Sequence, residues 1–107
     1  MADGIWPAVE VELEANQRQL WFCGHSLGAA AATLCASRCV LSFIKSQPVE
    51  LHTFGCPRVA SRQYLKHVKL KHFRWVNFKD PVPRIPEIKS GFDHGGVEMC
   101  VDRFGRL

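Results

Sequence analysis

One short segment combines the residue types that serine chemistry needs: Gly24, His25, Ser26, Leu27 and Gly28. A serine hydroxyl becomes a nucleophile when a base takes its proton, and a tight turn can hold it clear of the fold. Gly24 and Gly28 are expected to leave space for this cramped turn and for the helix against the strand, where any Cβ atom would collide. The pattern predicts that Ser26 is a nucleophile, with the N–H groups of a following helix available to developing negative charge.

The residues on either side favour a strand before Ser26 and a helix after it. Residues 20–23 are Leu-Trp-Phe-Cys, an apolar run typical of a buried parallel strand. The residues after Gly28 are rich in alanine, which predicts a long helix to about residue 44 or 45 with small residues facing a sheet. The alternative is an ordinary strand-to-helix turn in which Ser26 only caps the helix.

The rest of the chain alternates between strand and helix patterns. We expect helices over about residues 5–17 and 60–68, strands over 19–23, 50–54 and 72–78, and a short strand or hairpin arm over 96–103. The proline-rich residues 81–86 are expected to lack regular structure. Alternation of this kind implies right-handed crossovers, so the sequence predicts an α/β fold with three to four mostly parallel strands and flanking helices.

Asp80 directly follows the third predicted strand. Ligands bind parallel sheets at the carboxyl ends of the strands, which is the edge where Ser26 is expected. A catalytic triad needs a carboxylate that orients a histidine, and serine before aspartate is one of the known chain orders of such triads. The alternative is that Asp80 is only a turn residue, because Asp-Pro is a common turn dipeptide.

The composition describes one globular domain of 107 residues, 47% hydrophobic and 22% charged. No apolar run reaches transmembrane length, and the N-terminus does not resemble a signal peptide, so we expect a cytoplasmic or membrane-associated protein. The five cysteines are odd in number and form no C-x-x-C pair, which favours structural or incidental thiols in a reducing compartment over disulfides or a zinc site. No cofactor motif is found, and the three tryptophans are expected in the core.

The net charge of +4 includes a basic group between residues 66 and 79. An exposed helix and strand edge explain this group better than a nucleic-acid surface, because no nucleic-acid motif accompanies it. A weak attraction to an anionic membrane surface is a further candidate. The members of the group are Lys66, His67, Lys69, Lys71, His72, Arg74 and Lys79.

Four motifs together resemble the class 3, or fungal-type, lipases of the α/β-hydrolase superfamily. They are GHSLG at residues 24–28, TFGCPRV at 53–59, VNFKDPVPRIP at 76–86 and, more weakly, GFDHGGVE at 91–98. The resemblance implies a truncated α/β-hydrolase core with a nucleophile elbow and a lipid ester as substrate. It implies Ser26 as nucleophile, Asp80 as the triad acid and the Leu27 backbone N–H as one oxyanion donor.

The same resemblance bears on the histidines and on the extent of the domain. His25 matches a packing residue of the elbow motif, and the second motif, with Arg58, is expected to end a core strand and fix the next loop. The family's catalytic histidine lies well beyond the stretch matched by His94, where its histidine has a supporting role. His94 nevertheless remains a candidate third triad member, 14 residues after Asp80. Catalytic domains of this family are much longer, so residues 1–107 are expected to be a central fragment.

Three functional hypotheses follow from the sequence. The first is serine acyl hydrolysis of triacylglycerol-like or diacylglycerol-like esters through a Ser-Asp-His triad that is present here only in part. The second is a catalytically inactive relative that acts as a binding or interaction module. The third is a basic domain that binds a membrane or nucleic acid, which the motifs favour least. The sequence leaves the oligomeric state open.

Overall fold

The computed structural model describes residues 2–15, 19–41, 49–68 and 70–107. It has helices α1 (Ala2–Ala15), α2 (Leu27–Leu41) and α3 (Arg62–Val68), with short 3-10 helices at Val82–Arg84 and Ile88–Ser90. The strands are β1 (Leu20–His25), β2 (Val49–Phe54), β3 (Ala60–Ser61), β4 (Lys71–Asn77), β5 (Phe92–Asp93) and β6 (Val97–Val101). The predicted ends of the first two helices and Lys69 lie outside the described residues.

Four parallel strands form the main sheet, in the order β1-β2-β4-β6. The expected α/β architecture is thereby confirmed. The last strand of the sheet, β6, runs parallel to β4, with Trp75 opposite Met99, so it is not a hairpin arm. A separate antiparallel pair joins β3 to β5, with Ala60 opposite Asp93.

Two local expectations need correction. The helix predicted from about residue 60 begins at Arg62, because Ala60 and Ser61 pair with β5 instead. The Ser61 hydroxyl then accepts the N–H of Tyr64 at 3.2 Å and so caps the helix. The proline-rich segment contains a 3-10 turn at Val82–Arg84, since prolines near the start of such a turn need no N–H partner.

Helices α1 and α2 cover one face of the sheet. Leu51 and Ala36 are 0% exposed in the core between α2 and the strands, where Ala32 and Phe22 also pack. The polar residues of this helix face are satisfied locally, because the Thr33 hydroxyl donates to the Ala29 carbonyl at 2.8 Å. The small side chains of α2 therefore allow the helix to lie close to the sheet, as its alanines predict.

The opposite face of the sheet is exposed in the described part of the chain. Along β1, the helix-facing residues alternate with exposed ones, and Trp21 on the uncovered face is 70% exposed. The expectation that all three tryptophans pack in the core is therefore wrong for Trp21. Trp75 is half-buried on the same uncovered face, and only Trp6 of the three is in the core, at 6% exposed. The described helices are too short or too polar to span a membrane.

Candidate active site

Ser26 occupies the bend between β1 and α2 with a φ of +55°, a left-handed conformation that is costly for a residue other than glycine. Its N–H donates to the Phe54 carbonyl at 3.0 Å, which ties the bend to the end of β2. Its carbonyl accepts the N–H groups of Ala29 and Ala30 at 3.0 and 3.3 Å. Because the hydrogen bonds recorded for Ser26 run through its backbone, the hydroxyl has no capping role in the described structure.

The two glycines of the bend have different roles. A Cβ atom at Gly24 would lie 2.6 Å from the carbonyl carbon of Gly28 and 2.8 Å from the nitrogen of Ala29, so no side chain fits there. At Gly28 a Cβ atom would meet nothing within 4 Å. The expected collision therefore holds for Gly24 alone, and Gly28 contributes by its backbone, against which Gly24 packs.

The first turn of α2 lies beside Ser26. Leu27 and Gly28 are its first two residues, and N–H groups in this position have no partner four residues earlier in the helix. The Leu27 side chain is 66% exposed. As the first residue of α2, Leu27 has its N–H at the positive end of the helix dipole.

Asp80 follows β4 in a tight turn, in which its own N–H donates to the Asn77 carbonyl at 2.9 Å. Its Oδ1 accepts the N–H of Val82 at 3.0 Å. Asp80 therefore acts as a turn residue, which is the alternative interpretation that the Asp-Pro dipeptide suggested. Its Oδ2 is separate from that turn and lies 2.7 Å from the position that a Cβ atom of Gly55 would take. Gly55 itself has a φ of +64°, so a side chain there would be strained and would also have to displace the Asp80 carboxylate.

Backbone contacts connect the surroundings of Ser26 and Asp80. Ser26 is bonded to Phe54, and the next residue, Gly55, lies against the Asp80 carboxylate. Ser26 and Asp80 therefore lie at the same edge of the sheet, as the sequence predicts. A cleft of about 360 Å³ opens at this edge, lined by His25, Phe54, Gly55, Trp75, Val76, Asn77, Asp80 and Val101.

His25 is exposed and lines this cleft, whereas the family resemblance implies a packing residue. Its Nε2 lies 4.0 Å from the Cβ position of Gly55, which is also close to Asp80. His25 is exposed because it ends β1 on the sheet face that the described helices leave uncovered.

His94 is half-buried, and its Nε2 lies 2.6 Å from the carbonyl oxygen of Pro83. A carbonyl can only accept, so Nε2 carries the proton and Nδ1 is the basic nitrogen. Burial is the main cause that lowers the pKa of His94, and the positive charges of Arg74 and Arg58 add to it. The lowered pKa favours the neutral ring, whose Nε2 is engaged on the loop after Asp80.

Two residues near the site differ from the sequence expectation. Arg74 and His72 are 8% and 6% exposed, so they do not belong to an exposed basic surface. Alternation along β4 explains this, because these two residues and Val76 face the buried side of the sheet. The sequence carries no signal for this, because the period-two pattern puts the polar His72 and Arg74 on one face of β4 and the aromatic Phe73 and Trp75 on the other.

Arg58 has a larger role than its motif alone suggests. Its guanidinium Nη1 donates to the carbonyls of Arg84 and Pro86 at 2.7 and 2.9 Å. Its backbone N–H donates to the Ile85 carbonyl at 2.8 Å. The expectation that this motif fixes a following loop agrees with these bonds, but the loop is the distant one after Asp80.

Comparisons with known proteins identify the relatives of this chain. The family model described as Lipase (class 3) matches residues 1–90. A secreted mono- and diacylglycerol lipase of Fusarium solani is 34% identical over 108 residues, which cover 95% of this chain and 31% of that protein. The first curated relatives are matched over only 12% to 31% of their own length.

Solved structures agree with the family match. Lipase II from Rhizopus niveus superposes with a TM-score of 0.81 at 27% identity, covering 94% of this chain and 42% of that one. A triacylglycerol lipase described as having a serine protease triad at its catalytic centre superposes with a TM-score of 0.76 at 28% identity. That match covers 92% of this chain and 40% of the lipase.

Proposed function

Since this chain belongs to the class 3 lipases, a family of lipid ester hydrolases, we propose that Ser26 is the nucleophile of a serine acyl hydrolase. The observation that carries the proposal is the left-handed backbone of Ser26 at the bend between β1 and α2. A non-glycine residue keeps this conformation when the surrounding structure enforces it, which is frequent at functional sites. The triad described for the related triacylglycerol lipase gives the proposal a precedent.

The proposed reaction proceeds through an acyl-enzyme. Ser26 Oγ attacks the ester carbonyl carbon while a histidine takes the hydroxyl proton, and the Leu27 N–H donates to the resulting oxyanion. The alcohol leaves with the proton returned by the histidine, and water then repeats the sequence to release the fatty acid. Asp80 would orient that histidine and stabilise its imidazolium form.

The proposed triad also needs a histidine base. His94 is a candidate within the chain, but its Nε2 is engaged with the Pro83 carbonyl. We therefore favour a base from outside these residues, which agrees with the proposal that residues 1–107 form a central part of a longer hydrolase domain.

A fluorophosphonate probe tests the role of Ser26 directly, because it forms a bond with an activated serine. The Leu27 N–H can still stabilise charge when the histidine base lies outside the chain, so we expect the 107-residue chain to be labelled slowly at Ser26 and Ser26→Ala to reduce labelling by at least about 100-fold. Ser90→Ala is the matched control, since Ser90 is exposed and its hydroxyl donates to the Glu87 carbonyl at 2.6 Å. Equal labelling of the Ser26 variant and the parent chain would contradict the proposal.

The second candidate function is a binding module without catalysis. The uncovered sheet face favours it, because Trp21 and Val97 on that face are 70% and 55% exposed and large exposed apolar patches often mark interaction sites. A chain that is folded by circular dichroism but shows no labelling of Ser26 would support this candidate over the hydrolase.

A further inference from the structure

Four successive carbonyl groups in the loop after Asp80, those of residues 83–86, accept hydrogen bonds from two distant residues. His94 Nε2 donates to Pro83 at 2.6 Å. Arg58 supplies the other three bonds, from Nη1 to residues 84 and 86 at 2.7 and 2.9 Å and from its backbone N–H to residue 85 at 2.8 Å. One guanidinium, one peptide N–H and one imidazole thus hold these four carbonyl groups.

The loop is connected to the Asp80 carboxylate. Oδ1 of Asp80 accepts the Val82 N–H at 3.0 Å, and the Val82 carbonyl accepts the Ile85 N–H at 3.1 Å. Oδ2 lies against the backbone of Gly55 on the other side. A shift of residues 83–86 would therefore pull Val82 and change the position of the carboxylate.

The small β3-β5 sheet brings the two donors together. Arg58 lies two residues before Ala60, and His94 directly follows Asp93, which is the strand partner of Ala60. Asp93 is held in turn, because its carboxylate accepts the His94 N–H at 2.8 Å and forms an ion pair with Arg62 at 2.9 Å. These contacts fix the His94 backbone beside the end of β5.

We propose that Arg58 and His94 are positioning residues that act as a clamp on residues 83–86 and thereby hold the Asp80 carboxylate in place. The proposal rests on the proposed role of Asp80 as triad acid, and it gives His94 a role as hydrogen-bond donor instead of general base. The bond to Pro83 requires a proton on Nε2, which the neutral ring supplies. Arg58 suits its role because a planar guanidinium can donate to two carbonyls at once.

Hydrogen exchange of the Val82 amide tests the clamp without any need for catalysis. In the full 107-residue chain, we expect His94→Ala and Arg58→Ala each to increase the exchange rate of this amide about tenfold, since each removes donors that hold the loop. His94→Gln keeps an N–H donor of similar reach and should stay within about threefold of the parent rate. Unchanged exchange in both alanine variants would overturn the proposal. If Arg58→Ala fails to fold, Arg58→Lys replaces it, and the His94 pair gives the same comparison.

Labelling of Ser26 by the fluorophosphonate then separates a clamp from a catalytic base. The clamp acts on Asp80, whose histidine partner lies outside the chain, so we expect His94→Ala to change labelling of the 107-residue chain by less than about threefold. Ser26→Ala sets the level of complete loss. A His94→Ala variant that is slower by about tenfold or more would identify His94 as the base and contradict the clamp. If the parent chain is not labelled, the proposed function fails, whereas the exchange experiment still decides the clamp.

Discussion

Residues with restricted conformations define the proposed site. Ser26 and Gly55 both have positive φ values, +55° and +64°, and each begins the connection that leaves a parallel strand. Gly55 can adopt this conformation freely, whereas Ser26 cannot, so contacts around Ser26 must offset the cost. The bond from Ser26 N–H to Phe54 and the two bonds to its carbonyl provide those contacts. The strained residue is the one to which we assign the chemistry.

Also at the scale of single residues, the burial of His72 predicts that the stability of the protein depends on pH. Its Nε2 lies 2.8 Å from Thr53 Oγ1. Burial, and then the charge of Arg74, lower the pKa of His72 from 6.5 to about 4. The unfolded chain therefore binds this proton more readily than the folded protein. The contribution to stability is complete above pH 6.5 and is lost as the pH falls towards about 4, with a total of about 3 kcal/mol.

Chemical denaturation of the parent chain and His72→Gln between pH 7 and 4 measures this contribution. Glutamine can keep a hydrogen bond to Thr53 but does not titrate, so the free energy of unfolding of the variant should fall less steeply over this range. His94 contributes a slope of the same sign, because its pKa is also lowered, but it does so in both proteins. Equal slopes for the two proteins would exclude His72 as the source.

At the scale of elements, local patterns predicted the long segments well. β1 and α2 were expected from an apolar run followed by alanines, and both signals lie within the segments themselves. The two-residue strands β3 and β5 were not expected, since they exist only through pairing between residues 60–61 and 92–93. The start of α3 was misplaced for the same reason. Tertiary pairing overrides local propensity where an element is this short.

The candidate site was predictable to a similar extent. Ser26 and Asp80 could be proposed from the sequence because each directly follows a strand with a recognisable pattern. The bonds of Arg58 to residues 84–86 depend on how distant loops meet, so its motif could indicate a structural role but not the loop it holds. The exposure of His25 depends on which sheet face the helices cover, and one sequence does not specify that face.

The junction of β1 and α2 predicts opposite effects for its two glycines. Gly24→Ala places a methyl group inside the backbone of Gly28 and Ala29, and we expect it to lower the free energy of unfolding by at least about 2 kcal/mol. Gly28→Ala is the matched control, because its Cβ atom meets open space and alanine favours a helix. Thermal unfolding should show a small change or a gain of up to about 1 kcal/mol for the control. Similar losses for both variants would show that the two positions are equally crowded.

At the scale of the whole molecule, the described chain is a parallel sheet with helices on one face. Parallel sheets usually have both faces covered. Here the uncovered face carries a row of rings: His52 lies 5.9 Å from Trp21 and 5.1 Å from Phe73 between ring centroids. Trp75 joins this group, since its Nε1 donates to His52 Nδ1 at 3.3 Å. Because helices cover only one face, residues that are neighbours along a strand alternate between the core and the uncovered face.

The neighbours Trp21 and Phe22 on β1 test this asymmetry. Trp21 is 70% exposed, whereas Phe22 packs against the core of Ala36 and Leu51. We expect Trp21→Ser to change the free energy of unfolding by less than about 1 kcal/mol and to reduce binding of a hydrophobic dye such as ANS. Phe22→Ser should cost about 3 kcal/mol or more, because it leaves a cavity and a hydroxyl in the core. Denaturant titration of the two variants gives the comparison. A loss for Trp21→Ser as large as that for Phe22→Ser would mean that this face is covered in solution, for example by a second copy of the chain, and the loss would then depend on protein concentration.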